Sequence, residues 1–297
     1  MIGQHSQMYG LAETHLFCAE TISEWWQECN VATFDMDHGL RRVVAELFFG
    51  RQTEITVSRA SGWLRRRSHF TTGLIFEELA RKVHPRIAVD KSPTTVLRLE
   101  SMQRVYCAFP QARFLHLVRH PRGYGESVMR CLDERKKLGP LPPKHWLLSL
   151  AACPSLSAKD VQAGNHCSDL DPQRSWYALH INICEFLHLI PEAQKLRIRG
   201  EDLLTDCEQS LVRLATWLGL RTDSEAIEEM RHPERSPYAC FGPASALLGN
   251  DRSFLRNPAL RPERGRLHAL DGPLSWREDG EGFLSEVKKL ATAMGYQ

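Results

Sequence analysis

The segment FLHLVRHPRGYGESVMR, residues 114 to 130, constrains this chain more than any other. Phe114 to Val118 is an almost uninterrupted apolar run of strand length, the kind parallel sheets demand because helices cover both of their faces. It leads into Arg119, then a Pro-Arg-Gly turn, then a helix expected to begin near Gly123 with Ser127 in its first turns. Parallel strands need crossover connections, usually helical, and the chain supplies both. Ile87 to Asp90 and Leu196 to Arg199 read as two further buried strands. Val96, Leu99, Met102, Val105, Tyr106 and Phe109 recur three or four residues apart, which predicts a helix over Thr94 to Phe109, ended by Pro110. Leu211, Leu214, Trp217 and Leu218 mark another over Ser210 to Leu220, with Gly219 as its C-terminal cap, and a last amphipathic helix runs over about Gly282 to Met294. Strands alternating with helices imply an α/β fold.

The chain has 297 residues, 42% hydrophobic and 25% charged, enough apolar surface for a sizeable core and no signature of disorder or a fibrous repeat. That length suits one domain with insertions as well as two, and the expectation is a single domain over 1–297. Lys and Arg number 38 against 36 Asp and Glu, a net charge of +2. This balance argues against a chain that coats nucleic acid or an anionic membrane, while leaving room for an anionic small molecule held by local arginines. The nine cysteines are widely spaced without a C-x-x-C pair, so neither a disulfide framework nor a zinc ribbon is expected. No secretory leader is visible at MIGQHSQMYG, and no apolar run approaches the roughly 20 residues that span a bilayer. The expected location is cytoplasmic.

Two stretches depart from regular periodicity. Residues 138–171 are first Pro-rich and then rich in Ser, Ala, Gly and Asp, which reads as an insertion or lid. Residues 231–264 form a loop-rich region whose Tyr238, Phe241 and Phe254 suggest a covering role over donor or acceptor.

In an open α/β sheet, ligands collect at the carboxyl ends of strands. A helix amino terminus beside an arginine and a serine hydroxyl is a ready phosphate or sulfate site. Residues 119 to 127 therefore predict an anion-binding corner; the alternative is that Arg119 only caps a sheet edge and pairs with Asp133 or Glu134. His116 and His120 are four apart, but one lies in a strand and the other in a turn. They lack the shared face that a helix would give a metal pair. Arg65 to Arg67 reads as a solvated basic face.

Taken with this corner, the sequence resembles the sulfotransferases that use 3'-phosphoadenosine-5'-phosphosulfate (PAPS), in their bacterial and tyrosylprotein-like branch. Their 3'-phosphate motif runs strand, Arg, turn, helix, with Ser eight residues after the Arg, where Arg119 and Ser127 stand. VDKSP (89–93) is similar to the family's lysine-bearing strand end, LRIRGEDLL (196–204) to its strand followed by Glu-Asp-Leu, and LVRLATWLGL (211–220) to the helix after it. HSQMYGLAETHLF (5–17) resembles the stretch after the donor-binding loop. The resemblance implies a three-layer α/β/α fold with a central parallel sheet, like that of P-loop nucleoside kinases. It implies PAPS as donor, adenosine 3',5'-bisphosphate (PAP) as product, no metal, and a hydroxyl acceptor that is a small molecule or carrier-bound. Glu13 would be the general base, Lys91 would stand by the bridging oxygen, Arg119 and Ser127 would bind the cofactor's 3'-phosphate, and His180 would approach the reacting oxygen. Each has a plainer alternative: a surface glutamate, a lysine paired with Asp90, a satisfied core histidine. Asn250, Asp251, Phe254 and Arg256 lie where the family brings a late loop over the donor, too loose a match to carry a role.

Two departures stand out. The family's first strand and G-x-P-R-S-G-T-T loop have no counterpart, Met1 being expected already inside the following helix, and GYGES (123–127) lacks the context to replace that loop. Gly200 stands where many members carry a tyrosine near the adenine. Two other readings stay open: an inactive sulfotransferase-like chain that binds PAP weakly or serves as a partner subunit, and a nucleotide kinase of similar topology. The kinase lacks a Walker-type glycine-lysine pair and a magnesium carboxylate cluster here.

Overall fold

The computed structural model describes residues 1–32, 35–136, 171–261 and 268–297. Its helices are α1 (Ile22–Ala32), α2 (His38–Phe49), α3 (Glu54–Arg65), α4 (Thr72–Val83), α5 (Leu99–Ala108), α6 (Pro121–Lys136), α7 (Pro172–His188), α8 (Gly200–Thr205), α9 (Cys207–Leu218), α10 (Ser224–Met230), α11 (Arg252–Arg256) and α12 (Ser285–Ala293). Its strands are β1 (Met8–Gly10), β2 (Ile87–Val89), β3 (Phe114–Val118) and β4 (Lys195–Arg199). The chain falls into two compact units, Met1–Ala112 with Cys207–Pro262, and Arg113–Asp206 with Glu263–Gln297. The expected insertion at 138–171 lies outside the described residues except for Asp171, which caps α7 by accepting from the Gln173 N–H.

In the first unit β1 pairs in parallel with β2, Met8 opposite Ile87 and Gly10 opposite Val89. The start of the chain is not the expected helix. A 3₁₀ turn over Ile2–Gln4 gives way to extended backbone, and β1 is a strand that three residues of weak periodicity did not announce. The helices between the paired strands form for the usual reasons. Ile75, Leu79 and Val83 stack along one face of α4, and the Thr71 hydroxyl caps it by accepting from Leu74 N–H. Leu40, Val43 and Val44 of α2 and Val57, Ala60 and Leu64 of α3 are fully buried. The helix predicted over Thr94 to Phe109 is split: Pro93–Val96 is a 3₁₀ turn and α5 starts at Leu99.

The late loop belongs to this unit and is held from within. Arg42, fully buried on α2, donates to Leu248 O at 2.7 Å and to Gln52 Oε1 at 2.6 Å. Tyr238 is also fully buried, its hydroxyl 3.2 Å from that of Tyr9. Tyr238 is thus a core residue, not a covering aromatic, and Asp251 spends its carboxylate capping α11. Of the basic run, Arg65 and Arg66 are exposed as expected, but Arg67 lies 3.8 Å over the Trp63 ring and pairs with Glu78.

In the second unit β3 and β4 pair in parallel over their whole length, with His116 opposite Arg197 and Val118 opposite Arg199. The apolar run of β3 is not covered on both faces. The pleat turns His116 and Val118 inward, while Leu117 on the other face is 55% exposed. Val118 joins Trp176, Leu270, Leu274, Phe283, Val287, Ala291 and Met294 in one core. The parallel pairing expected of the sheet is present as two two-stranded sheets, one in each unit. Helix α6 begins at Pro121, so the Pro-Arg-Gly turn is its first turn, with proline where its missing N–H costs nothing. The glycines of GYGES serve packing: a Cβ at Gly125 would overlap the Trp276 ring.

Candidate active site

In the first unit the site grows from the carboxyl ends of β1 and β2. Leu11 N–H continues the ladder to Val89 O at 2.9 Å, and Glu13 N–H donates to Gly249 O at 2.8 Å. Gly39 is obligatory beside it, since any Cβ there would overlap the Glu13 carbonyl. Asp90, at the end of β2, ties the two segments together. Its Oδ1 accepts from the Thr14 hydroxyl at 2.8 Å and from the Ser92 hydroxyl at 3.1 Å, and Ser92 Oγ in turn accepts from His15 N–H at 2.9 Å. Burial raises the Asp90 carboxyl, and those hydroxyls pull it part of the way back.

These bonds hold Glu13 and Lys91 together as an ion pair, the carboxylate 14% exposed and the ammonium 69%. Lys91 therefore pairs with Glu13 and not with Asp90. His15 completes the group. Among the described residues it is the one non-glycine residue in the left-handed region (φ 52°), its Nδ1 is 3.0 Å from Thr94 Oγ1, and its Nε2 is 3.6 Å from Glu13. Burial pushes the Glu13 carboxyl up, but the His15 ring and Lys91 ammonium outweigh it and hold Glu13 below the ordinary carboxylate range. His15 was missed in the sequence, where nothing but its place two residues after Glu13 marks it.

In the second unit the end of β3 is pinned from three sides. Trp176 Nε1–H donates to Arg119 O at 2.9 Å, His120 N–H donates to Glu201 at 2.8 Å, and Tyr296 donates to the other Glu201 oxygen at 2.8 Å. None of Trp176, Glu201 and Tyr296 could be given this task from spacing alone. Held in this way, Arg119 is exposed, and its guanidinium has no carboxylate partner among the described residues. A Cβ on Gly123 would lie 3.3 Å from Arg119 Nε, so the side chain crosses the helix face that carries Ser127 one turn later. The anion corner is narrower than a bare helix terminus, because Pro121 has no N–H and His120 Nδ1 accepts from Arg122 N–H at 3.1 Å. Burial and the neighbouring His268 lower the pKa of His120 to about 4.

His180 lies on α7 and is buried. Its ring is 4.5 Å from Trp176, and its Nδ1 is 2.9 Å from Nε2 of His116. Burial, then His116 and Arg197, lower its pKa to about 3, while burial and Arg197 lower that of His116 to about 4. His116 thus spends Nε2 on His180 and His120 spends Nδ1 on a helix cap, and among the described residues no group of three His, Cys, Asp or Glu side chains is placed to hold a metal ion. The structure brings Glu13 together with Lys91, sets Arg119 over the Ser127 face, and joins His180 to His116. Gly200 lies against Val118 O, 3.5 Å from a hypothetical Cβ.

Residues 1–142 match the family model of the sulfotransferase family, a span that includes Glu13, Lys91, Arg119 and Ser127 but not His180. The fold is similar to that of a sulfotransferase domain from the curacin biosynthetic pathway, at 19% identity and a TM-score of 0.68, covering 100% of this chain and 91% of that one. A sulfotransferase domain from the Synechococcus PCC 7002 olefin synthase is similar at 20% identity and a TM-score of 0.68, covering 100% and 88%. No curated protein sequence matches the chain. Among the described residues no helix is long and apolar enough to cross a membrane. The chain thus matches the sulfotransferase family model over residues 1–142, just under half of its length, and over its whole length its fold is similar to that of sulfotransferase domains.

Proposed function

We propose that the chain transfers a sulfuryl group from PAPS to a hydroxyl of a small-molecule or carrier-bound acceptor. The observation that supports this most is the Glu13–Lys91 pair, a half-buried carboxylate kept ionised beside an exposed ammonium. In-line transfer needs one group to receive the hydroxyl proton and one cation where charge builds on the leaving oxygen. The acceptor oxygen forms a new bond to sulfur as the bond from sulfur to the bridging oxygen breaks. The proton passes to Glu13, and PAP leaves with the electron pair, neutralised by Lys91. Arg119 and Ser127 hold the 3'-phosphate, and His180 reaches the reacting centre. In the resting chain Lys91 is spent on Glu13; drawn to the donor, it would free that carboxylate and raise its affinity for a proton.

Isothermal titration with PAP tests the donor. Micromolar or tighter binding is expected, weakened about 10- to 100-fold in Arg119→Ala, as fits loss of a charge-assisted bond. A folded chain that binds no PAP would end the assignment and leave sulfotransferase ancestry without the activity. Magnesium-dependent transfer from ATP would replace it with a kinase.

A further inference from the structure

The parallel register of β3 and β4 sets His116 directly opposite Arg197, on the strand face that meets α7. Arg197 Nε–H points at His116 Nδ1 across 3.3 Å, and a second guanidinium nitrogen lies 3.8 Å from Cys184 Sγ, one turn after His180 on α7. A guanidinium only donates. His116 Nδ1 must therefore present its lone pair, and a neutral His116 carries its proton on Nε2. That proton lies on the 2.9 Å contact with His180 Nδ1, which must accept it. The proton of a neutral His180 is then on Nε2. Adding a second proton to His180 would leave two N–H groups facing each other across the buried contact.

We infer that Arg197, His116 and His180 form a directional relay that locks His180 as a neutral Nε2–H donor, so that it gives a hydrogen bond to a sulfuryl or carbonyl oxygen and does not act as the proton acceptor. His116 and Arg197 are positioning residues, and Glu13 is left as the base. The lowered pKa values of both rings agree with this arrangement. The catalytic consequence rests on the reading above that His180 reaches the reacting centre; the relay itself does not.

Long-range ¹H–¹⁵N spectra of the histidine rings in the full chain test the relay without turnover. Both His116 and His180 are expected as neutral Nε2–H tautomers at pH 7 and at pH 6. In Arg197→Leu, His116 should begin to populate the Nδ1–H form. An Nδ1–H tautomer or an imidazolium at His180 in the unmutated chain overturns the relay. Turnover tests the consequence: His180→Leu should lose about 10²- to 10³-fold in kcat, as for an oxyanion donor. His180→Gln, whose amide offers an N–H but takes up no proton, should lose only about tenfold. Equal losses in the two variants, or none in either, overturn the donor role. A chain that transfers no sulfuryl group at all ends the functional reading, and the spectra still decide the relay.

Discussion

The carboxyl ends of β2 and β3 are held by opposite means. At β2, a half-buried carboxylate, Asp90, gathers two hydroxyls and so fixes the neighbouring loop, and the charged groups beyond it, Glu13 and Lys91, neutralise each other. At β3, the backbone is pinned by Trp176 and Glu201, and the charge beyond it, Arg119, has no carboxylate partner among the described residues. A self-neutralised pair is poised to exchange partners when an anion arrives. An unpaired arginine is poised to bind one. The first arrangement suits the reacting group, whose charge changes, and the second suits a phosphate, whose charge does not.

The largest expected effect falls on the β2 side. Glu13→Gln removes the proton acceptor but keeps a hydrogen-bonding partner for His15 and Lys91, and kcat for sulfuryl transfer should fall about 10²- to 10⁴-fold with little change in donor KM. Arg119→Ala should show the converse, a raised donor KM. If both variants changed the same parameter, the two ends would not divide the work as described.

Acid should separate the two units next. His116, His120 and His180 belong to the second unit, with pKa values lowered from 6.5 to about 4, about 4 and about 3. Below pH 6.5 the unfolded chain binds protons that these buried rings refuse. The stability they permit is therefore complete above pH 6.5, and it is lost as pH falls towards 4, by about 1.4 kcal/mol per pH unit for each ring that titrates alone. Glu13 has a lowered pKa of the opposite chemical kind. Its contribution persists from pH 6.5 down to the ordinary carboxylate value of 4.5 and is lost only as pH falls further. Urea unfolding followed from pH 7.5 to 4 should show the second unit weakening first, and a midpoint flat between pH 6.5 and 5 would contradict these assignments.

Smaller effects test the packing that places the charges. Gly125→Ala drives a methyl into the Trp276 ring and should cost about 1–3 kcal/mol in thermal unfolding, with Trp276→Leu in the same chain recovering part of it. Tyr296→Phe removes one of two bonds to Glu201 and should cost about 1 kcal/mol, with a modest rise in donor KM because the β3 end loosens. A rise as large as that of Arg119→Ala would mean that Tyr296 itself touches the donor.

Much of this could be read before the structure. The apolar run 114–118, the periodicity over 211–218 and the cap at Gly219 became β3, α9 and a left-handed glycine with φ 68°. Each depends on residues close in sequence. Strand β1 carries no signal because three residues show no measurable alternation, and Tyr238 gives none of its burial because a buried aromatic inside an irregular loop looks the same in sequence as an exposed one. His15 and Tyr296 carry no sequence signal for a related reason, since each acts through contacts with residues far along the chain or through backbone strain, and the motif that contains Glu201 does not show that it pins β3.

The order of motifs in the sequence names Glu13, Lys91, Arg119, Ser127 and His180 as candidates, and local periodicity encodes β2 and β3 but not β1, which leads to Glu13. Their electrical state is set by tertiary contacts. Whether Lys91 meets Asp90 or Glu13, whether Arg119 is paired or free, and on which nitrogen His180 holds its proton depend on contacts between residues as far as 81 positions apart, as Arg197 is from His116. Charge and protonation respond to distance in space, and distance along the chain does not report it.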